Sequence, residues 1–327
     1  MENESNSLRG SRGNFPPEIM DGKFRFVQER LQGGAVYKSE KEYLRLGERV
    51  VTMTEEVQTV ALGRKGFPVA EVTGHGEIDG NWYFTETSLG NDHFGNIFRR
   101  DYEKGGQVSE ANFLKFMAVM GLYTRASFGT KNRTLHRESL RDISLFRETR
   151  DQYPIDPDLM DKLIVKAGKR LVDMPNGIIC GDLGPFNILP GGVIDFEFLH
   201  TGPLGYDVMM VPTIGYYFPK VPGFKRKQLF AFSSDQLARY YEMVQQEAQS
   251  AGISDPTEFF NEFIFLKTVW AASRPRGYEN KEIEDPEREK FFSHFRHNIL
   301  RYVVECYKRD AEIDPVLFPD IGVNGKW

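Results

Sequence analysis

A chain of 327 residues that is 40% hydrophobic, with 26 Phe and 14 Tyr, has material for more than one packed core and suits two domains. Its formal net charge of −5 leaves no electrostatic case for a nucleic-acid partner or an anionic membrane surface. Only Cys180 and Cys306 are present, no run of about 18 apolar residues is available to span a bilayer, and the polar start MENESNSLRGSRGN lacks the apolar core of a signal peptide, so a soluble cytoplasmic protein is expected.

Residues 1–15 are polar and Gly/Ser/Asn-rich and read as a disordered tail. Phe24 and Phe26, with Arg30-Leu31 beyond them, predict a strand. Gln32-Gly33-Gly34 breaks it, Ala35–Lys38 resumes, and a turn at Ser39–Lys41 leads into Glu42–Leu46. The Gly33-Gly34 pair would let the backbone approach a phosphate, though most such pairs only serve turns. Thr54–Leu62 predicts a helix with a Thr cap and acids in its first turn, ending near Gly63 and Gly66. Phe67–Val72 is expected to start a strand, followed by a hairpin turn at Asp79-Gly80-Asn81 and a strand over Trp82–Glu86. Past Gly90 the composition turns helical, so domains are expected at 16–90 and 91–327. Apolar residues recur at helical spacing after Ser109 and after Asp156, residues 131–150 read as a solvated helical hairpin, and further helices are expected near 234–251, 256–273 and 285–309.

The chemistry concentrates in Ile178–Val208, where two short apolar bursts each run out into polar loops. Asp182, Asn187 and Asp195 fall within fourteen residues. A base for a hydroxyl proton and two oxygen ligands for magnesium are what phosphoryl transfer asks of a protein. Asp182-Leu183 followed by Asn187 has the spacing of the kinase catalytic loop, and Asp195-Phe196-Glu197 stands where the metal-binding D-F-G would. A lone Asp beside a Gly-Pro turn is usually a turn former. Three linked matches in order, each with apolar flanks, favour the catalytic reading.

Cys180-Gly181-Asp182-Leu183-Gly184-Pro185-Phe186-Asn187-Ile188-Leu189, then Ile194-Asp195-Phe196-Glu197, then Tyr206-Asp207, resembles the aminoglycoside phosphotransferase and choline kinase superfamily. The resemblance implies an α+β, bilobal, protein-kinase-like fold. Its small antiparallel-sheet N-lobe carries one helix, and its larger C-lobe is mainly helical. It implies a kinase moving the γ-phosphate of ATP or GTP to a hydroxyl of a small molecule such as an aminoglycoside, amino alcohol or sugar, as a monomer or homodimer. Asp182 would be the base, Asn187 and Asp195 the Mg2+ ligands, and Asp207 a structural acid taking backbone N–H groups of the catalytic loop. Gly33, Gly34 and Arg45 would meet the nucleotide phosphates, with Arg45 where relatives carry Lys and Lys38 as its rival. Glu56 would be the ion-pair partner of Arg45. The segment from Glu86 through Ser88 to Gly90 would be the interlobe hinge that holds the adenine edge.

Cys180 and Gly184 stand where the family has His, and Phe186 where it has a small residue, which with Arg45 motivates an alternative, a pseudokinase that binds nucleotide as an interaction module. The acidic run over 278–289 would suit a polycationic acceptor but is more often a solvated face. Tyr216, Tyr217, Phe218 and Trp270 would suit a choline cage but are more often core.

Overall fold

The computed structural model describes residues 16–30, 33–132, 155–196, 198–219, 230–273 and 286–327, without the side chains of 286–289. The tail, Leu31, Gln32, most of the 131–150 segment, Glu197 and the acidic side chains expected over 278–289 lie outside the described residues. The chain forms two compact units, one running to Asp92 and including Leu189–Phe196, the other built from His93–Ile188 and the residues after 197.

The first unit is a six-stranded antiparallel sheet in the order β1-β2-β3-β4-β6-β5 with one helix. Its strands are β1 (Glu18–Ile19), β2 (Phe24–Glu29), β3 (Ala35–Lys38), β4 (Glu42–Gly47), β5 (Val72–Ile78) and β6 (Asn81–Thr87). The period of two sorts the faces. Tyr37, Leu44 and Leu46 form a core cluster with Phe24, Ala35 and Ile19. Cross-strand partners share a face, so Val36, Arg45 and Phe84 line the opposite side. Asp79 and Gly80, both at positive φ, make the expected tight turn between β5 and β6.

Two boundaries differ from expectation. The helix α1 spans Arg49–Arg64 and starts five residues early. The Glu48 carboxylate accepts from the N–H of Val50 and Val51 and takes the capping role, while the Thr54 hydroxyl donates to the Val50 carbonyl inside the helix. The strand expected from Phe67 begins only at Val72. Val193 N–H donates to Pro68 O at 2.7 Å, so the chain at Pro68 runs beside the returning 189–196 segment, and it meets β6 only from Glu71, whose carbonyl accepts from Thr87 N–H at 2.9 Å.

The second unit is largely helical, with α2 (Phe94–Gly105), α3 (Glu110–Gly129), α4 (Pro157–Arg170), α5 (Tyr206–Met210), α6 (Ser234–Ala251), α7 (Phe260–Ser273), α8 (Pro286–Lys308) and α9 (Phe318–Asn324). Asp156 caps α4 through Asp158 N–H, and Ser233 with Gln236 forms a complete capping box on α6. Helix α2 had no counterpart in the sequence reading. It buries Phe94 and Phe98 against Phe116 of α3, in a ring cluster completed by Phe230 and Phe232. Strand β7 (Asn176–Ile179) pairs antiparallel with β10 (His200–Pro203). Between them lie the catalytic-type loop, a 3-10 turn at Pro185–Asn187, and the two-residue strands β8 (Ile188–Leu189) and β9 (Gly192–Val193). No helix among the described residues is long and apolar enough to cross a membrane.

Candidate active site

Asp182 sits in the loop that leaves β7, and buried groups hold that loop from behind. The Asp207 carboxylate, at the start of α5, accepts from Cys180 N–H at 2.6 Å, Gly181 N–H at 3.0 Å and the Tyr123 hydroxyl at 2.6 Å. Three donors converging on one buried acid fix both the acid and the loop. Burial pushes the Asp207 pKa up, and the three hydrogen bonds and the Lys267 charge pull against that rise. Burial, then the Asp207 charge, holds the Tyr123 phenol well above its ordinary range, so it stays a neutral donor. Asp207 therefore has the structural role that the resemblance implied.

Gly181 turns the loop with φ +80. A Cβ there would lie 2.8 Å from His200 Cε1 and 3.2 Å from Phe198 O, so only glycine fits. Asn187 ends the 3-10 turn, and its Nδ2 donates to Asp182 O at 3.0 Å. That bond orients the carboxamide and leaves its oxygen as an acceptor, the atom a hard cation would take. Asp195 lies on the other unit, exposed, with φ +65. Non-glycine residues adopt that conformation sparingly, and Asp tolerates it better than most. Carboxylate and carboxamide oxygens are the donor types magnesium prefers, so the residues present fit that ion. No cluster of three or more His, Cys, Asp or Glu among the described residues forms a metal site by itself.

On the first unit, Arg45 Nε donates to Glu86 Oε1 at 2.8 Å. Burial lowers the Arg45 pKa, but Glu86, with Glu55 and Asp195, more than offsets this and the net direction is upward. The expected pairing of Arg45 with Glu56 is not formed. Glu56 Oε1 meets His75 Nδ1 at 2.6 Å and its Oε2 accepts from Trp82 Nε1 at 2.8 Å. Because α1 turns about 100° per residue, Glu55 is the acid carried toward Arg45, and its carboxylate is also paired with Arg30. Arg30, read only as a strand residue, escaped notice because the pair joins positions 25 residues apart.

Lys38, the rival of Arg45 for the phosphates, ends β3. It stands opposite Tyr43, two residues before Arg45, and so shares the Arg45 face of the sheet. Its ammonium donates to Asn91 Oδ1 at 2.8 Å and lies over the Tyr43 ring. Gly33 and Gly34 both have φ near +90; at Gly34 a Cβ would meet Leu46 O at 2.1 Å, whereas at Gly33 the space is open. Glu86 lies within β6 between β4 and β5, and Ser88 exchanges hydrogen bonds with Gly90 while its N–H donates to Lys41 O.

The sequence reading missed Lys267 as part of the site. Its Nζ lies 3.4 Å from Asp182 Oδ1, 3.3 Å from Gly181 O and 3.7 Å above the Trp270 ring. A single Lys within an apolar helix was the available signal. The four aromatics considered for a cage are otherwise occupied. Trp270 faces this internal cation, Tyr217 packs on Phe318 with its hydroxyl on Thr268, Phe218 stacks on Phe292, and Tyr216 is buried.

A curled antiparallel sheet with one helix, joined in one chain to a mostly helical remainder whose short strand ends in an Asp-bearing loop, is the α+β architecture of protein-kinase-like enzymes. Residues 20–243 match the phosphotransferase enzyme family, and the chain belongs to that family. Among solved structures it is similar to a choline/ethanolamine kinase family protein from Mesorhizobium loti, at 11% identity over 92% of each chain with a TM-score of 0.54. An aminoglycoside phosphotransferase from Streptomyces rimosus, solved with ADP and streptomycin, matches at 13% identity over 77% of this chain and 94% of its own, with a TM-score of 0.47. No curated protein matches the chain. It is a phosphotransferase of that family.

Proposed function

We propose that this phosphotransferase moves the γ-phosphate of ATP or GTP to a hydroxyl of a small acceptor such as an aminoglycoside, amino alcohol or sugar. The observation that carries the reading is the presentation of Asp182. Its loop is clamped by Asp207 through Cys180 and Gly181, and Asn187 is tied to the Asp182 carbonyl. The acceptor oxygen attacks the γ-phosphorus, the bond to the β-phosphate oxygen breaks, the nucleoside diphosphate leaves, and the hydroxyl proton passes to Asp182. Asn187 and Asp195 hold magnesium, which when bound neutralises phosphate charge. The left-handed backbone of Asp195 supports a functional placement. Arg45 and the Gly33-Gly34 turn meet the phosphates, and the segment from Glu86 to Ser88 meets the base. The protein works in the cytoplasm as a monomer or homodimer.

Asp182→Asn tests the reading. Nucleotide affinity, followed by titration calorimetry with ADP, stays close to wild type, while transfer of labelled γ-phosphate to acceptor or water falls to a small residual rate. Transfer at the wild-type rate in that variant defeats the assignment. A wild-type chain that binds nucleotide without transferring phosphate to any of a panel of amines, sugars and water is a pseudokinase instead.

A further inference from the structure

Helix α7 buries Phe263, Ile264, Phe265 and Leu266, and Lys267 interrupts this apolar run with a side chain only 3% exposed. An ammonium removed from water is costly unless other groups replace its hydration. Here Asp182 Oδ1, Gly181 O and the Trp270 ring surround it. Trp270, one turn along the same helix, supplies its electron-rich face. The other two partners belong to the loop that carries the proton acceptor.

The loop itself has no cation. Gly184 stands two residues after Asp182 in extended backbone, and a Cβ there would meet only Ile214 carbons at 3.8 and 3.9 Å. Neither conformation nor space demands glycine at that point. The positive charge beside the acid comes from α7, more than eighty residues on in sequence.

We infer that Lys267 is a positioning residue for phosphoryl transfer. It ties the Asp182 carboxylate and the Gly181 carbonyl to one point, so that the carboxylate faces the acceptor in a single orientation. In a loose phosphoryl transition state the proton leaves the acceptor late, and catalysis depends on placement more than on a strong base. A cation that fixes the carboxylate therefore serves this reaction. The inference rests on Asp182 as proton acceptor.

The experiment uses the full chain and magnesium-ATP, with water or an active acceptor from the panel. Lys267→Met keeps the side-chain volume and removes the charge. It is expected to leave the dissociation constant for ADP and the KM for ATP near wild type while kcat falls about 100-fold. Lys267→Arg, which restores a cation, recovers part of that loss. In the Asp182→Asn background Lys267→Met costs little more, because both changes remove one unit. If the Met variant does not fold, Lys267→Gln carries the same comparison, since it keeps a donor for Gly181 O. An unchanged kcat in a folded, uncharged variant, or full multiplicative loss in the double variant, overturns the inference. A wild-type protein inactive with every acceptor overturns the phosphotransferase reading first and this one with it.

Discussion

Arg45 of β4 and Glu86 of β6 are diagonal neighbours on one face of the sheet. Phe84 stands opposite Arg45, and Glu86, two residues on, brings its carboxylate to 2.8 Å from Arg45 Nε. The pair settles which atoms of the arginine remain for a ligand. With Nε committed to Glu86, a phosphate would meet the Nη side of the fork.

Arg45→Ala should raise the dissociation constant for ADP by about 1.5–3 kcal/mol, roughly 10- to 150-fold, as expected for one lost charge-assisted contact. It should also lower thermal stability, since Glu86 is only 8% exposed and would lose its cation. Arg45→Lys should keep most of the affinity. Calorimetric titration of ADP checks both, and an affinity indifferent to Arg45→Ala would remove the phosphate role.

Lys38 shares the Arg45 face, and its substitution by Ala should weaken nucleotide binding measurably. The effect should be smaller, about 0.5–1 kcal/mol, because the ammonium is solvent-accessible and already engaged with Asn91. Raising the salt concentration should shrink the difference between Lys38→Ala and wild type.

Asp207→Ala would remove the shared acceptor of three buried donors at once, and should cost about 3–5 kcal/mol in urea denaturation. A loss under about 1 kcal/mol would mean that the loop is not held by this acid.

Gly181→Ala forces a left-handed φ onto a residue with a Cβ facing the His200 ring. A destabilisation of about 1–3 kcal/mol is expected, together with a fall in kcat as Asp182 moves. A variant with wild-type stability and turnover would show that the loop relaxes freely.

Asp101 accepts from the N–H and hydroxyl of Ser109 and from Asn112, anchoring the start of α3. Burial works against its charge, but the Ser109 and Asn112 bonds outweigh it, and its pKa falls below the ordinary carboxylate value. A folded-state pKa below the unfolded one stabilises at pH above the unfolded value, and the contribution is lost as pH falls through the folded value. Asp101→Asn should therefore unfold at a lower temperature near neutrality and lose less further stability on acidification. Melting temperatures across pH 7 to 3 test this.

The candidate site residues stood out as one group in the sequence because their spacing is local. Asp182, Asn187, Asp195 and Asp207 lie on one short stretch whose strands and turns hold them, and Asp207 proved to bond the loop as the resemblance implied. Strands β2, β3, β4 and β6, the β5–β6 turn and most later helix starts were readable for the same reason, since period and capping are near-neighbour effects, whereas β1 and most of β5 were not. Helix α1 began early because a carboxylate cap at Glu48 does what a downstream Thr was expected to do.

Tertiary structure alone decided the rest. Which acid of α1 turns toward Arg45 depends on helix phase against the sheet, a rotation that one residue changes by about 100°. Whether Lys38 and Arg45 share a face depends on strand register. That Lys267 meets Asp182 depends on the packing of α7 behind a loop 85 residues earlier. Sequence patterns record what each element buries and where it stops, whereas partners distant in the chain are chosen by packing, and no local pattern encodes that choice.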